Sequence, residues 1–310
     1  MTTTALVHRT DRDPLTWVRD WAAAPALREL VEMFDGEWPA RGSLRERLAS
    51  LEAFSDVWDR RRGGSRLAIA EDDGTLPGDR ILALAEELGM VEPAPVTGGH
   101  FDRVLILGGL STGCRSRAEY AAGLLGRGAF SADEVCFMGS FRTLLEGEHA
   151  DAREFAPDAT TEVGMLRALA DVEFPSADPW SITVDGDPGT APRLAELRGE
   201  RPGKPGVRLY AARSSDPARN ANTADTYRQF ARDVRLDAAR VLLVTTHIYA
   251  PYQHMDAVRV LGLPFHSEVE TIGTPPQLSR RVFDAPWYLQ ELRSTIRAAH
   301  ALVVACEAEE

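Results

Sequence analysis

From residue 100 onward, short apolar strands alternate with amphipathic helices, and this alternation restricts the chain to a sheet with helices on both faces. Candidate strands are 103–107, 134–138, 181–184, 207–212, 240–246 and 267–272. Candidate helices are 115–126, 161–171, 222–234, 253–261 and 286–303. A run such as Val241-Leu242-Leu243-Val244 is apolar at every position, as a parallel strand buried on both sides requires. The pattern predicts the α/β class, with a doubly wound, mainly parallel sheet over residues 100–310. The stretch 173–206, rich in Pro, Asp and Gly, reads as loop around one short strand, placed to cover a site.

The first hundred residues carry a different period. Leu15, Val18, Trp21, Leu27, Leu30, Val31 and Phe34 follow helical spacing, as do Leu44, Leu48, Leu51, Phe54, Val57 and Trp58. Ser43 with Glu46 has the form of a capping box. Leu76-Pro77-Gly78-Asp79 opens a further helix that stops at Gly89, and 92–99 is a linker by composition. Residues 1–99 therefore read as a helical extension packed on the main domain.

Net charge excludes some partners. At −12 over 310 residues, the chain is poorly suited to a nucleic-acid backbone or an anionic membrane. The N-terminus lacks the basic and apolar segments of a signal peptide, and no run approaches a membrane span. Three dispersed cysteines, Cys114, Cys136 and Cys306, suit free thiols in a reducing cytoplasm. The histidines do not pair at metal-ligand spacing, so no metal is expected. Dinucleotide, P-loop, G-x-S-x-G and H-E-x-x-H motifs are absent. No cofactor is called for.

Val104-Leu105-Ile106-Leu107-Gly108-Gly109-Leu110-Ser111-Thr112-Gly113-Cys114 runs from a strand through a glycine turn to a helix start. Such a turn at a strand's carboxyl end is where open α/β sheets bind ligands. Helix N-terminal amides there stabilise a phosphate, an oxyanion or a thiolate. Arg115 and Arg117 add positive charge. Cys114 is thus a candidate nucleophile, or else a small spacer in an anion-binding turn. His247, at the end of strand 240–246, is the histidine placed to serve as its base and acid. Glu270 would orient the imidazole, with Glu268 as the alternative; either also reads as a solvated strand acid. Ser111, Ser140, Arg142, Asn222 and Thr223 join Gly108, Gly109 and Arg115 as candidate substrate contacts. Tyr249 and Tyr252 read as pocket walls, and Thr160 as a helix N-cap.

The Leu-Gly-Gly turn, Met138-Gly139-Ser140, Thr161-Glu162, Asn222-Thr223 and Leu243-Val244-Thr245-Thr246, taken in order over residues 101–275, resemble the YdcF-like group that includes SanA and ElyC relatives. That resemblance implies a Rossmann-like sheet with a polar site along one rim, holding a nucleotide or other anionic small molecule. Two departures stand out. The family arginine after the strand ending at Thr246 is missing, with Tyr252 near its place, and a cysteine follows the glycine turn. In size, composition and Cys–His pairing the chain also looks like the amide-forming condensation enzymes of lincosamide antibiotic pathways. This second resemblance implies a cytoplasmic acyltransferase. An aminoacyl group would pass from a carrier-protein thioester, through Cys114, to a small amino-sugar-type amine acceptor. Neither nucleic acid nor membrane enters this reading, and a homo-oligomer is compatible with it.

Overall fold

In the computed structural model the described residues are 5–61, 69, 74–176, 178–185, 193–198, 204–216 and 218–309. They form one eight-stranded sheet of order β1-β8-β7-β2-β3-β6-β5-β4. The strands are β1 (Leu6–His8), β2 (His100–Leu107), β3 (Ser131–Gly139), β4 (Ser181–Asp185), β5 (Arg193–Arg198), β6 (Gly206–Ala211), β7 (Arg240–Thr246) and β8 (Glu268–Thr274). Five of them, β6-β3-β2-β7-β8, are mutually parallel. In chain order these five run third, second, first, fourth, fifth, the Rossmann-like arrangement. Chain direction across the sheet reverses between β2 and β7, and a crevice opens at the strand ends there.

The sheet is mainly parallel, as expected, with antiparallel additions at both sides. β1 adds antiparallel to β8, and β4 and β5 form an antiparallel edge beside β6. The stretch expected to be mostly loop thus supplies two strands; residues 177, 186–192 and 199–203 of it lie outside the described residues. β4 is the short strand expected over 181–184, whereas β1 and β5, short and of mixed polarity, lack the all-apolar signature of buried parallel strands and were missed.

Two helical layers cover the sheet. On one face α5 (Ser111–Gly126), α6 (Glu146–Ala152) and α7 (Glu162–Glu173) enclose a core of Val104, Ile106, Phe137, Leu166 and Val244. The other face carries α8 (Thr223–Asp233), α9 (Ala250–Ala257) and the long α10 (Ala285–Glu309). The N-terminal helices α1 (Thr16–Ala22), α2 (Pro25–Met33), α3 (Leu44–Phe54) and α4 (Gly78–Glu87) join this second layer. Leu27, Leu51, Trp58 and Leu84 share one continuous core with Leu292 and Ile296 of α10 and with Leu105 and Leu243 of the sheet. Among the described residues no helix is long and apolar enough to cross a membrane.

Local signals act as read in several places. Ser43 Oγ accepts the Glu46 amide at 3.2 Å, and the Glu46 carboxylate accepts the Ser43 amide at 2.7 Å. Gly89 ends α4 with φ +76°. The cap of α7 is Thr161, not Thr160: its Oγ1 accepts the Gly164 amide at 3.2 Å.

Candidate functional site: a two-lobed rim at the chain reversal

Two cavities open along the carboxyl ends of the parallel strands, and they share Gly108, Gly109, Leu110 and Thr223. The first, about 520 Å³, lies over β2 and β3 and reaches the start of α8. The second, about 200 Å³, lies over the β2–β7 crevice and is closed by the start of α9, the 279–283 loop and α10. The glycine turn is the partition between them. Gly109 has φ +153°, which a side chain rarely adopts. At Gly108, a Cβ would lie 2.5 Å from the Met138 carbonyl oxygen and 2.6 Å from Glu162 Oε1.

The first cavity is internally neutralised. Arg142 donates to both Glu148 oxygens, at 2.6 and 2.8 Å, and to the Gly109 carbonyl at 2.6 Å. Glu148 in turn accepts the Ser111 amide at 3.1 Å, so this carboxylate already occupies one side of the α5 N-terminus. Ser140 donates its hydroxyl to Glu162 at 2.5 Å. Burial raises the Glu162 pKa, against the pull of Arg142 and of these hydrogen bonds. Asn222 caps α8 through the Asp225 amide at 2.9 Å, and Arg219 pairs with Asp225 at 2.6 Å.

The second cavity is not neutralised. Arg117 is 4% exposed and extends from α5 beneath the turn. It donates from Nη1 to the Leu107 and Gly108 carbonyls, both at 2.6 Å, and from Nε to Thr246 Oγ1 at 3.1 Å. Among the described residues no carboxylate lies within ion-pair reach of it, and its Nη2 makes no hydrogen bond. That nitrogen lies 3.6 Å from where a Gly109 Cβ would sit and 3.4 Å from that of Gly113. Leu110 provides no side-chain cap for α5, and Thr112 and Gly113 line the cavity with first-turn amides that no carbonyl of the helix can accept. Arg281 stacks on Trp287 at 4.0 Å and likewise has no carboxylate partner among the described residues. Arg61, from the N-terminal layer, pairs with buried Glu291 at 2.6 Å.

The proposed catalytic triad is not assembled. Cys114 is fully buried in the α5–α7 core, with its thiol donating to the Gly109 carbonyl at 3.4 Å. Burial pushes its pKa up to about 12, the reverse of an activated thiolate. The helix begins at Ser111 rather than 115, which turns Cys114 inward instead of leaving it at the mouth. His247 is buried as well, its Nδ1 bonded to the Thr274 carbonyl at 3.1 Å and its ring 5.5 Å from Phe283. A carbonyl partner requires the proton on Nδ1. Desolvation lowers this imidazole's pKa to about 4. Glu270 belongs to the opposite end of the sheet. It accepts the Thr97 amide at 2.6 Å and hydroxyl at 2.5 Å, and Arg240 lies 3.5 Å away. Glu268 faces Arg9 and Arg240. No hydrogen bond joins any two of Cys114, His247 and Glu270.

Of the expected contacts, Gly108, Gly109, Ser140, Arg142, Asn222 and Thr223 line the first cavity, and Tyr249 and Tyr252 the second. Two are displaced. Ser111 is buried against Glu148 and Asp151, and Arg115 pairs with Glu119 and Glu154 on the outside of α5. Arg117 was read as positive charge beside the turn but not as a substrate contact, and Thr246, Phe283, Trp287 and Arg61 were not picked out as site contacts. Only Arg117 carried a signal, its spacing after the glycine turn: four residues past Gly113, it returns to the same helix face.

The state of Cys114 has a direct readout. A thiol reagent such as 5,5′-dithiobis(2-nitrobenzoate) should leave it unmodified in the native chain at pH 8 and label it once urea unfolds the protein. Rapid native labelling of Cys114, located by peptide mass spectrometry, would reinstate a reactive thiol.

Comparison with known proteins places the chain in a family. Residues 7–89, from β1 through α4, match the Rv3785 N-terminal domain. The uncharacterized protein Rv3785 of Mycobacterium tuberculosis H37Rv is 34% identical over a 357-residue alignment, covering 98% of this chain and 95% of the relative. The uncharacterized protein Mb3814 of Mycobacterium bovis matches to the same extent. No solved structure matches. With near-complete coverage at this identity, the chain belongs to the Rv3785 family.

Proposed function

We propose that the rim binds an anionic small molecule at the turn Gly108–Gly113, with Cys114 as a packing residue rather than a nucleophile. The observation that carries this reading is Arg117, a buried guanidinium without a carboxylate, lying under a glycine turn at the helix N-terminus, on the side that Glu148 does not occupy. Burying a charge without a counter-ion is costly, and an anion in the second cavity would offset that cost. The free amides of Thr112 and Gly113 and the positive end of the α5 dipole act in the same direction. Hydrogen bonds between charged groups are roughly twice as strong as neutral ones, so a phosphate or carboxylate gains most here. Acyl transfer through Cys114 has no comparable support, since the thiol is buried, protonated and without a base.

Binding of inorganic phosphate and phenyl phosphate to the full chain, followed by calorimetry or by phosphorus NMR line broadening, tests the proposal. Arg117→Gln should weaken both by about tenfold or more, the scale of one charge-assisted hydrogen bond. Arg281→Met, farther from the core, should weaken both to a lesser degree with an unchanged melting temperature. Failure of the wild type to bind either probe at millimolar concentration would overturn it. So would full affinity in both variants.

A further inference from the structure

The second cavity combines its cationic floor with an aromatic wall, and the two meet at Tyr249. The Arg117 guanidinium stands 5.9 Å over the Tyr249 ring. That ring is 6.1 Å from Tyr252 and 6.1 Å from Phe283, both edge-on, and Phe283 continues to Trp287 at 5.5 Å. Tyr249, Tyr252 and Phe283 are all partly exposed. Three polar groups behind this wall are already bonded to one another. Gln253 Nε2 donates to the Tyr252 hydroxyl, and its Oε1 accepts from Tyr227 at 3.3 Å. A cavity of about 150 Å³ holds a benzene ring. The 200 Å³ here leaves room for an anionic head beside one ring.

From this juxtaposition we infer that the ligand is a planar aromatic or heteroaromatic anion, its ring against Tyr249, Tyr252 and Phe283 and its charged group over Gly109, Gly113 and Arg117. The inference rests on the anion-binding reading and adds to it the class of the remaining part of the molecule. Ring-on-ring contacts are edge-to-face or offset, and aromatic ligands gain from them beyond simple burial. Arg281, held on the face of Trp287, adds a second cation at the same wall. A ring carrying its charge directly matches the short distance from floor to wall better than a flexible chain, which would lose conformational entropy on binding.

Three probes of similar head group separate the two levels: inorganic phosphate, glycerol 3-phosphate and phenyl phosphate, each titrated into the full chain. Phenyl phosphate should bind about tenfold tighter than glycerol 3-phosphate, the scale of about 1.4 kcal/mol. In Tyr252→Leu that preference should fall to about twofold or less while affinity for inorganic phosphate stays at the wild-type value. Phe283→Leu should do the same, and a melting curve on each identifies any variant that fails to fold. Equal binding of the phenyl and glycerol esters by the wild type would overturn the aromatic assignment and leave the anion site standing. A preference that survives both substitutions would also overturn it. Absence of binding by all three probes would remove the anion reading itself, and this inference with it.

Discussion

Gly108→Ala should destabilise the protein by about 3 kcal/mol, the upper range for forcing one carbon into a filled site, and abolish phosphate binding at the rim. The added Cβ would meet a backbone oxygen, that of Met138, at 2.5 Å and the Glu162 carboxylate at 2.6 Å. Neither neighbour can yield cheaply. The Met138 carbonyl accepts the Gly108 amide at 2.7 Å, so moving it opens the β2–β3 junction. Glu162 is buried and bonded to the Ser140 amide and hydroxyl. Displacing it leaves polar groups without partners, each worth about 1–3 kcal/mol. Gly126→Ala is the matched control. Nothing lies within 4 Å of a Cβ there, at the end of α5, and alanine should stabilise it by about 0.5 kcal/mol. Urea midpoints of the two variants, read with the phosphate titration, check the expectation. A Gly108→Ala protein as stable as wild type with intact binding would show that the turn is not tightly packed.

Acidification should produce the other large effect. Desolvation depresses His247 to about 4, and desolvation with the nearby His8 charge depresses His254 to about 3. Both stand at 6.5 when unperturbed. A depressed imidazole binds fewer protons folded than unfolded, so stability rises with pH between the folded and the unfolded values and falls as pH drops through that window. Each histidine should therefore remove about 2 kcal/mol between pH 7 and pH 5. That interval lies above the range of ordinary carboxylates; the raised carboxyl of Glu162 acts in the opposite direction, and His8, also depressed by burial, adds to the loss. His254 is the cleaner test. It is buried, bonded through Nδ1 to Thr271 Oγ1 at 3.0 Å, and sits against Trp17, away from the rim. Urea unfolding between pH 7 and 5 should show the loss, and His254→Gln should remove its share, about 2 kcal/mol over the interval. A stability independent of pH over that range would mean that both rings are hydrated in the native state.

The strands of the parallel core were legible because burial on both faces leaves almost no polar residue, as in Val241–Val244. The helices of the N-terminal layer were legible from their period, and the Ser43–Glu46 cap from two residues alone. The glycine turn was found for a local reason: Gly108 and Gly109 are needed where the chain leaves β2 against Met138 and Glu162. Several of the site residues, among them Ser140, Arg142, Asn222 and Thr223, followed from their positions after strands. The short strands β1, at one edge of the sheet, and β5, between β6 and β4, escaped notice because neither carries the long apolar run that marks a buried parallel strand.

What the amino-acid sequence determined by itself was the elements of the parallel core and of the N-terminal layer, the two-faced sheet and the glycine turn, because each follows from local period, backbone freedom or burial. Tertiary structure alone decided which polar groups meet. Starting α5 at Ser111 sends Cys114 into the core and brings Arg117 under the turn, a rotation about the helix axis that no spacing in the strand reveals. Placing Glu270 near the amino ends of the strands hands it to Thr97 and Arg240 and keeps it from His247. Folding the N-terminal layer onto α10 brings Arg61 to the wall of a cavity formed mainly by residues beyond 100. Charge balance is a property of neighbours in space. The neutralised first cavity and the unneutralised second one became distinguishable only when the chain had closed around them.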